Sequence, residues 1–111
     1  MIIYFKPGTR VESITLSLLE GLVAFARTAG GFGITDLTIT SVNDGVHKVN
    51  SLHYTGNALD IRSKTTPDLI IQHLRDAFLV VHNDQYQLLW ENQGTDNAHL
   101  HLEYDPGNRS H

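Results

Sequence analysis

Cysteine is absent from the 111 residues. Disulfides therefore play no part in holding the fold, and any metal must bind through nitrogen and oxygen. Lysine- or arginine-rich runs are missing too, and the formal net charge is -4 with neutral histidines. That balance argues against a broad nucleic-acid surface, so no nucleic-acid partner is expected. Long apolar runs are also lacking. The stretch LIIQHLRDAFLVV carries charges and falls short of the ~20 apolar residues that a spanning helix needs. The opening MIIYFKPGTR has neither the basic region nor the long apolar segment of a signal peptide. No membrane partner is therefore expected. Internal repeats, low-complexity tracts and interdomain linkers are not found. Hydrophobic residues make up 41% of the chain, enough for one small core. A single domain over residues 1–111 is expected, with 105–111 a loose tail.

Histidine, by contrast, is plentiful. Seven occur, and five fall in two windows: His47 and His53, then His99, His101 and His111. Between the windows the pattern of apolar residues predicts ordinary elements. FKPG introduces a helix over residues 9–28, with Thr9 and Glu12 at capping-box spacing and Gly30 and Gly31 stopping it. Val11, Ile14, Leu18, Leu22 and Phe25 recur at helical spacing and should face the core. DLTITSV reads as a strand, and ALDIR as a short one. TTPDLIIQHLRDAFLVV reads as a second helix, with Thr66 as cap and Pro67 in its first turn. YQLLWEN and AHLHLEYD form a hairpin around the turn-rich NQGTDN. His73 and His82, on the second helix, are expected to be structural or solvent-facing. Helices mixed with antiparallel strands suggest an α+β domain, a small antiparallel sheet with two helices on one side.

Strand alternation puts His99, His101 and Glu103 on one face of the last strand. In ALDIR, Asp60 and Arg62 point away from Leu59 and Ile61. If these two strands are neighbours, Asp60 meets the histidine face. Zinc prefers four ligands, and catalytic sites leave one position for water. His53, Asp60 and one histidine of HLH would supply three ligands, with Gly56 letting the chain turn between the first two. Taken singly, each of these histidines is more often a surface polar residue; the set points to a metal site.

SLHYTGNALD, residues 51–60, resembles the zinc motif S-x-H-x-x-G-x-A-x-D of the D-Ala-D-Ala metallopeptidase superfamily, which includes wall carboxypeptidases, phage endolysins and the hedgehog signalling domain. HLH on a late strand resembles the H-x-H that closes the same site. The resemblance covers roughly residues 37–105 and implies a hedgehog/DD-peptidase-like fold. It also implies a zinc-dependent peptidase that hydrolyses an amide bond in peptidoglycan stem peptides through metal-activated water, in a phage virion or lysis-associated setting. His53, Asp60 and His101 match the zinc ligands. His99 matches the first histidine of H-x-H, which helps to stabilise the reacting centre. His47, six residues before His53, matches an additional loop histidine of hedgehog domains. The general base matches Glu91, at the end of the preceding strand, or Asp96, three residues before His99. Glu103 reads as a supporting or surface residue.

The sequence also departs from that family. Wall carboxypeptidases of this kind carry an arginine before the first motif, to pair with the substrate's terminal carboxylate. TSVNDGVH holds none, and neither Arg62 nor Lys48 matches that position. An endopeptidase does not need the contact. Asp44 is nearly alone in its loop, so the calcium cluster of hedgehog domains is not expected. The competing reading is a non-catalytic zinc domain of hedgehog type that acts through protein–protein contacts.

Overall fold

The computed structural model describes residues 1–9, 11, 14–43 and 58–106. Expectations for His47, His53, Gly56 and residues 107–111 lie outside these. Along the chain run β1 (Ile2–Phe5), α1 (Leu16–Gly31), β2 (Asp36–Asn43), β3 (Ala58–Arg62), α2 (Asp68–His82), β4 (Tyr86–Glu91) and β5 (His99–Tyr104). The five strands form one sheet in the order β1-β2-β3-β5-β4. Two helices with a five-stranded sheet make an α+β fold. Among the described residues no helix is long and apolar enough to cross a membrane.

The sheet is mixed rather than antiparallel. β1 pairs in parallel with β2, Ile3 opposite Leu37 and Phe5 opposite Ile39, while the other three pairings are antiparallel. A parallel neighbour needs a crossover connection, and α1 supplies it. β1 escaped the sequence reading because its four residues are largely exposed, with a weak alternating pattern. Its pairing is with residues more than thirty positions away.

α1 begins later than its capping-box spacing suggests. Pro7 and Gly8 continue a turn in which the Thr9 N–H donates to the Lys6 carbonyl at 3.0 Å, and Gly8 has φ +90°. The helix starts after Thr15, whose Oγ1 accepts the Leu18 N–H at 3.1 Å. Val11 is accordingly exposed and Ile14 only half-buried, whereas Leu18, Leu22 and Phe25 reach the core. At the other end Gly30 and Gly31 belong to the helix. The stop is a Schellman turn. Gly33, at φ +84°, donates to the Gly30 carbonyl, and Ile34 donates to the Ala29 carbonyl. α2 is preceded by Pro67 with no side-chain cap, so Thr66 does not serve as one. Asp68 in its first turn and His82 in its last suit the helix dipole.

Leu18, Leu22 and Phe25 of α1 and Ile71, Leu74 and Phe78 of α2 share one core with Leu59, Ile61, Leu88, Leu100 and Leu102 of the sheet. Both helices therefore cover one face and leave the other to the polar residues of the same strands. His73 is exposed, and His82 stacks on Phe78 at 4.8 Å between ring centres, so both have the structural or solvent-facing roles expected. Asp105 is buried, its N–H on the Gln85 carbonyl at 2.8 Å and its Oδ2 accepting from Gln87 at 3.0 Å.

α1 packs tightly against Tyr86 of the sheet at Gly21. A methyl group there would collide with the ring of Tyr86, whose hydroxyl donates to the Ser17 carbonyl and whose ring packs on Phe78 and Tyr104. Gly21→Ala should therefore cost about 1–2 kcal/mol through overpacking, even after its gain in helix propensity. Gly30→Ala meets nothing within 4 Å and should stabilise by about 0.5–1 kcal/mol. Urea midpoints of the two variants check this, and shifts of the same sign would refute the close-approach reading.

Candidate metal centre

The face opposite the helices is organised by strand register. Asp60 on β3 is directly opposite His101 on β5. One row away, His99 sits between Arg62 of β3 and Glu91 of β4. On the other side Glu103 lies between Ala58 and Gln87. A single strand thus presents two imidazoles and a carboxylate, and its neighbours add one carboxylate each.

Direct contacts knit this face together. Both ring nitrogens of His101 donate to carboxylates: Nδ1 to Asp60 Oδ1 at 3.0 Å and Nε2 to Glu103 Oε1 at 3.0 Å. Ionised carboxylates only accept, so the metal-free ring must carry both protons. The hydrogen bond to Asp60, then that to Glu103, raises the pKa of His101 to about 10 against the opposing effect of burial. His99 Nδ1 donates to the Asn97 carbonyl at 2.8 Å, which turns Nε2 toward Glu91 Oε1 at 2.8 Å and Asp60 Oδ1 at 3.8 Å. Burial of His99 disfavours its charge. The Asn97 carbonyl, Glu91 and Asp60 outweigh that and raise its pKa above the ordinary value.

One donor atom each from Asp60, Glu91 and His101 lie within 4.8 Å of one another. Two carboxylates and an imidazole are a donor set suited to a divalent ion such as zinc. Electrostatics agree. Three carboxylates surround two imidazoles, and a dication replaces the positive charge that leaves when a histidine deprotonates to coordinate. Glu91 is the most exposed member, its side chain 46% accessible against 14–25% for Asp60, His99, His101 and Glu103. Approach from solvent is therefore over Glu91.

Of the residues singled out in the sequence, Asp60, Glu91, His99 and His101 converge here. Asp96 does not join them. It lines a cavity beside His99 and makes no hydrogen bond or ion pair to either histidine. His47 and His53 lie outside the described residues. Two participants carry more than the sequence suggested. Glu103 holds the second nitrogen of His101, and its place on the metal face was legible from alternation. The Asn97 carbonyl orients His99, and nothing in the sequence marks a backbone acceptor in advance.

The charged His101 has a consequence for stability. Its folded pKa of about 10 exceeds the unfolded value of about 6.5, so its contribution is complete below ~6.5 and is lost as pH rises toward ~10. In chelator, the gap in denaturant midpoint between the wild type and His101→Gln should narrow from pH 6 to pH 9.5. A gap independent of pH would show that the ring is not charged in the fold.

The chain matches no family model, no curated protein and no solved structure.

Proposed function

We propose that this chain is a zinc-dependent peptidase that hydrolyses an amide bond in peptidoglycan stem peptides. One observation chiefly supports the reading. Asp60 and His101, taken from two motifs 41 residues apart, are hydrogen-bonded cross-strand partners, with a Glu91 oxygen in the same donor group. The likeness of those motifs to the D-Ala-D-Ala metallopeptidase pattern supplies the reaction class.

In this reading Asp60 and His101 hold the metal together with His53 of the first motif. Bound there, zinc supplies Lewis acidity, which makes water a better nucleophile near neutral pH and draws electrons from an amide carbonyl. The remaining chemistry belongs to the protein. The Glu91 carboxylate, on the accessible side, takes a proton from the attacking water and returns it to the nitrogen of the departing amine as the C–N bond breaks. His99, pinned by Asn97 and with its pKa raised by that carbonyl and its carboxylate neighbours, would donate from Nε2 to the oxyanion that develops on the carbonyl. Its position is set before substrate arrives, so little reorganisation is needed.

The test is a digest of purified peptidoglycan with the zinc-loaded chain, read by mass spectrometry beside Asp60→Ala. New amino termini that depend on Asp60 are expected, and fragment masses name the bond. No cleavage across several wall chemistries, with one zinc bound per chain, would overturn the reading in favour of a zinc domain that binds a protein partner.

A further inference from the structure

α1 has a second apolar side. Leu18, Leu22 and Phe25 reach the core, yet Leu16 is 70%, Leu19 42% and Val23 39% exposed. Steps of three and four residues put Leu16, Leu19 and Val23 on one stripe of the helix. Glu20, Ala24 and Arg27 border it, and the six side chains line one shallow recess. Single exposed apolar residues are ordinary, whereas a contiguous stripe rimmed by charge marks a contact surface.

The charges on that rim say what covers it. Glu20 and Arg27 are both exposed. Seven residues are nearly two full turns, so the two share one edge of the stripe, about 10.5 Å apart along the axis. That exceeds the i,i+4 spacing at which a helix pairs its own charges. In two antiparallel copies the ends exchange. With a twofold axis between Val23 and Ala24, Glu20 of each copy faces Arg27 of the other, and the contact occurs twice. A parallel pair would set Glu20 against Glu20 and Arg27 against Arg27. A lipid surface would call for an excess of cations beside the apolar residues, and here one acid and one base cancel.

The same axis brings Leu16 of one copy to Gly31 of the other, with Gly30 beside it. Both glycines are exposed, neither has a positive φ, and a Cβ on either would meet nothing within 4 Å. Glycine is a poor helix former, and among the described residues neither turn geometry nor packing calls for it at these two positions. Across the axis the pair leaves a flat surface on which a leucine of the second copy can rest.

We infer that α1 is the contact between two copies of this chain, paired antiparallel through Leu16, Leu19 and Val23 and locked in register by reciprocal Glu20–Arg27 ion pairs. The candidate metal centre lies on the sheet face opposite the helices, so both centres stay open in the dimer and the inference stands apart from the peptidase reading. A single helix pair is at the small end of specific interfaces, below about 1,200 Å², so association is reversible and concentration-dependent.

Sedimentation equilibrium of the full zinc-loaded chain, over roughly a hundredfold span of concentration reaching about 0.5 mM, should show monomer and dimer in exchange. Glu20→Arg and Arg27→Glu should each weaken the dimer about fivefold or more, since two like-charge contacts replace two ion pairs. The double variant Glu20→Arg/Arg27→Glu should return to within about twofold of wild type, and an equimolar mixture of the two single variants should form mixed dimers in preference to either alone. Leu19→Gln should weaken the dimer about tenfold without any change of charge, which keeps the test usable if a reversal disturbs the helix. Circular dichroism checks that each variant is folded. A chain that stays monomeric at every concentration overturns the inference. So does a dimer that the single reversals leave unchanged, or one that the double variant fails to restore.

Discussion

Asp60→Ala is expected to lower zinc affinity by about 100-fold or more, because loss of a ligand should cost at least as much as loss of a ligand's supporting partner. Peptidase activity should disappear with it. The reason is the double role of this carboxylate. It stands in the donor group with Glu91 and His101, and its Oδ1 holds His101 Nδ1 at 3.0 Å. Removing it deletes a donor and frees the ring of another. Without Asp60 the largest cause of the raised His101 pKa is lost and only Glu103 remains, so in the metal-free variant the pH-dependent stability contributed by His101 should shrink. Competition with a chromogenic chelator gives the affinity, and circular dichroism separates metal loss from unfolding. A folded Asp60→Ala chain with undiminished zinc affinity would remove Asp60 from the centre and the motif assignment with it.

Glu91→Gln should reduce turnover by about 10²–10⁴-fold, the range for loss of a positioned acid–base group, while zinc stays bound. Glutamine preserves the shape and can still contact His99, but it cannot accept and return a proton. Glu91 is favoured over Asp96 by position. The seven residues between β4 and β5 form a loop turned by Asn92 at φ 56° and Gly94 at φ 78°, and the strand ends stay paired, Glu91 opposite His99. Asp96 lies in that loop, in the wall of the cavity beside His99. Asp96→Asn should therefore leave kcat within a few-fold of wild type. Zinc lost from Glu91→Gln would make Glu91 a ligand rather than a base. Activity retained in both variants would exclude the mechanism.

Alternation of apolar and polar residues made the two faces of β3 and β5 legible, and with them the grouping of Asp60, His99, His101 and Glu103. It could be read because a strand's side chains follow a local rule with a period of two. The second helix and the hairpin were legible for the same kind of reason. The start of α1 was not. Thr9 and Thr15 are both followed by helix-compatible residues, and the choice between them depends on where the chain must leave the β1 edge to reach the helix layer. β1 itself was hidden, since a four-residue exposed strand is defined by its parallel partner rather than by its own pattern.

By itself the sequence determined which residues face the core and which face away from it on β3 and β5, and that any metal must be held by nitrogen and oxygen. Only the tertiary structure decided that β3 lies beside β5 in the register that sets Asp60 opposite His101 and Arg62 opposite His99. It alone carried Lys6, which follows β1, to the cavity beside His99. The physical reason is that periodicity is a property of neighbouring residues, whereas register is chosen by the whole core. A slip of one residue would turn Asp60 and both histidines into the helices and expose Leu59, Leu100 and Leu102 to water.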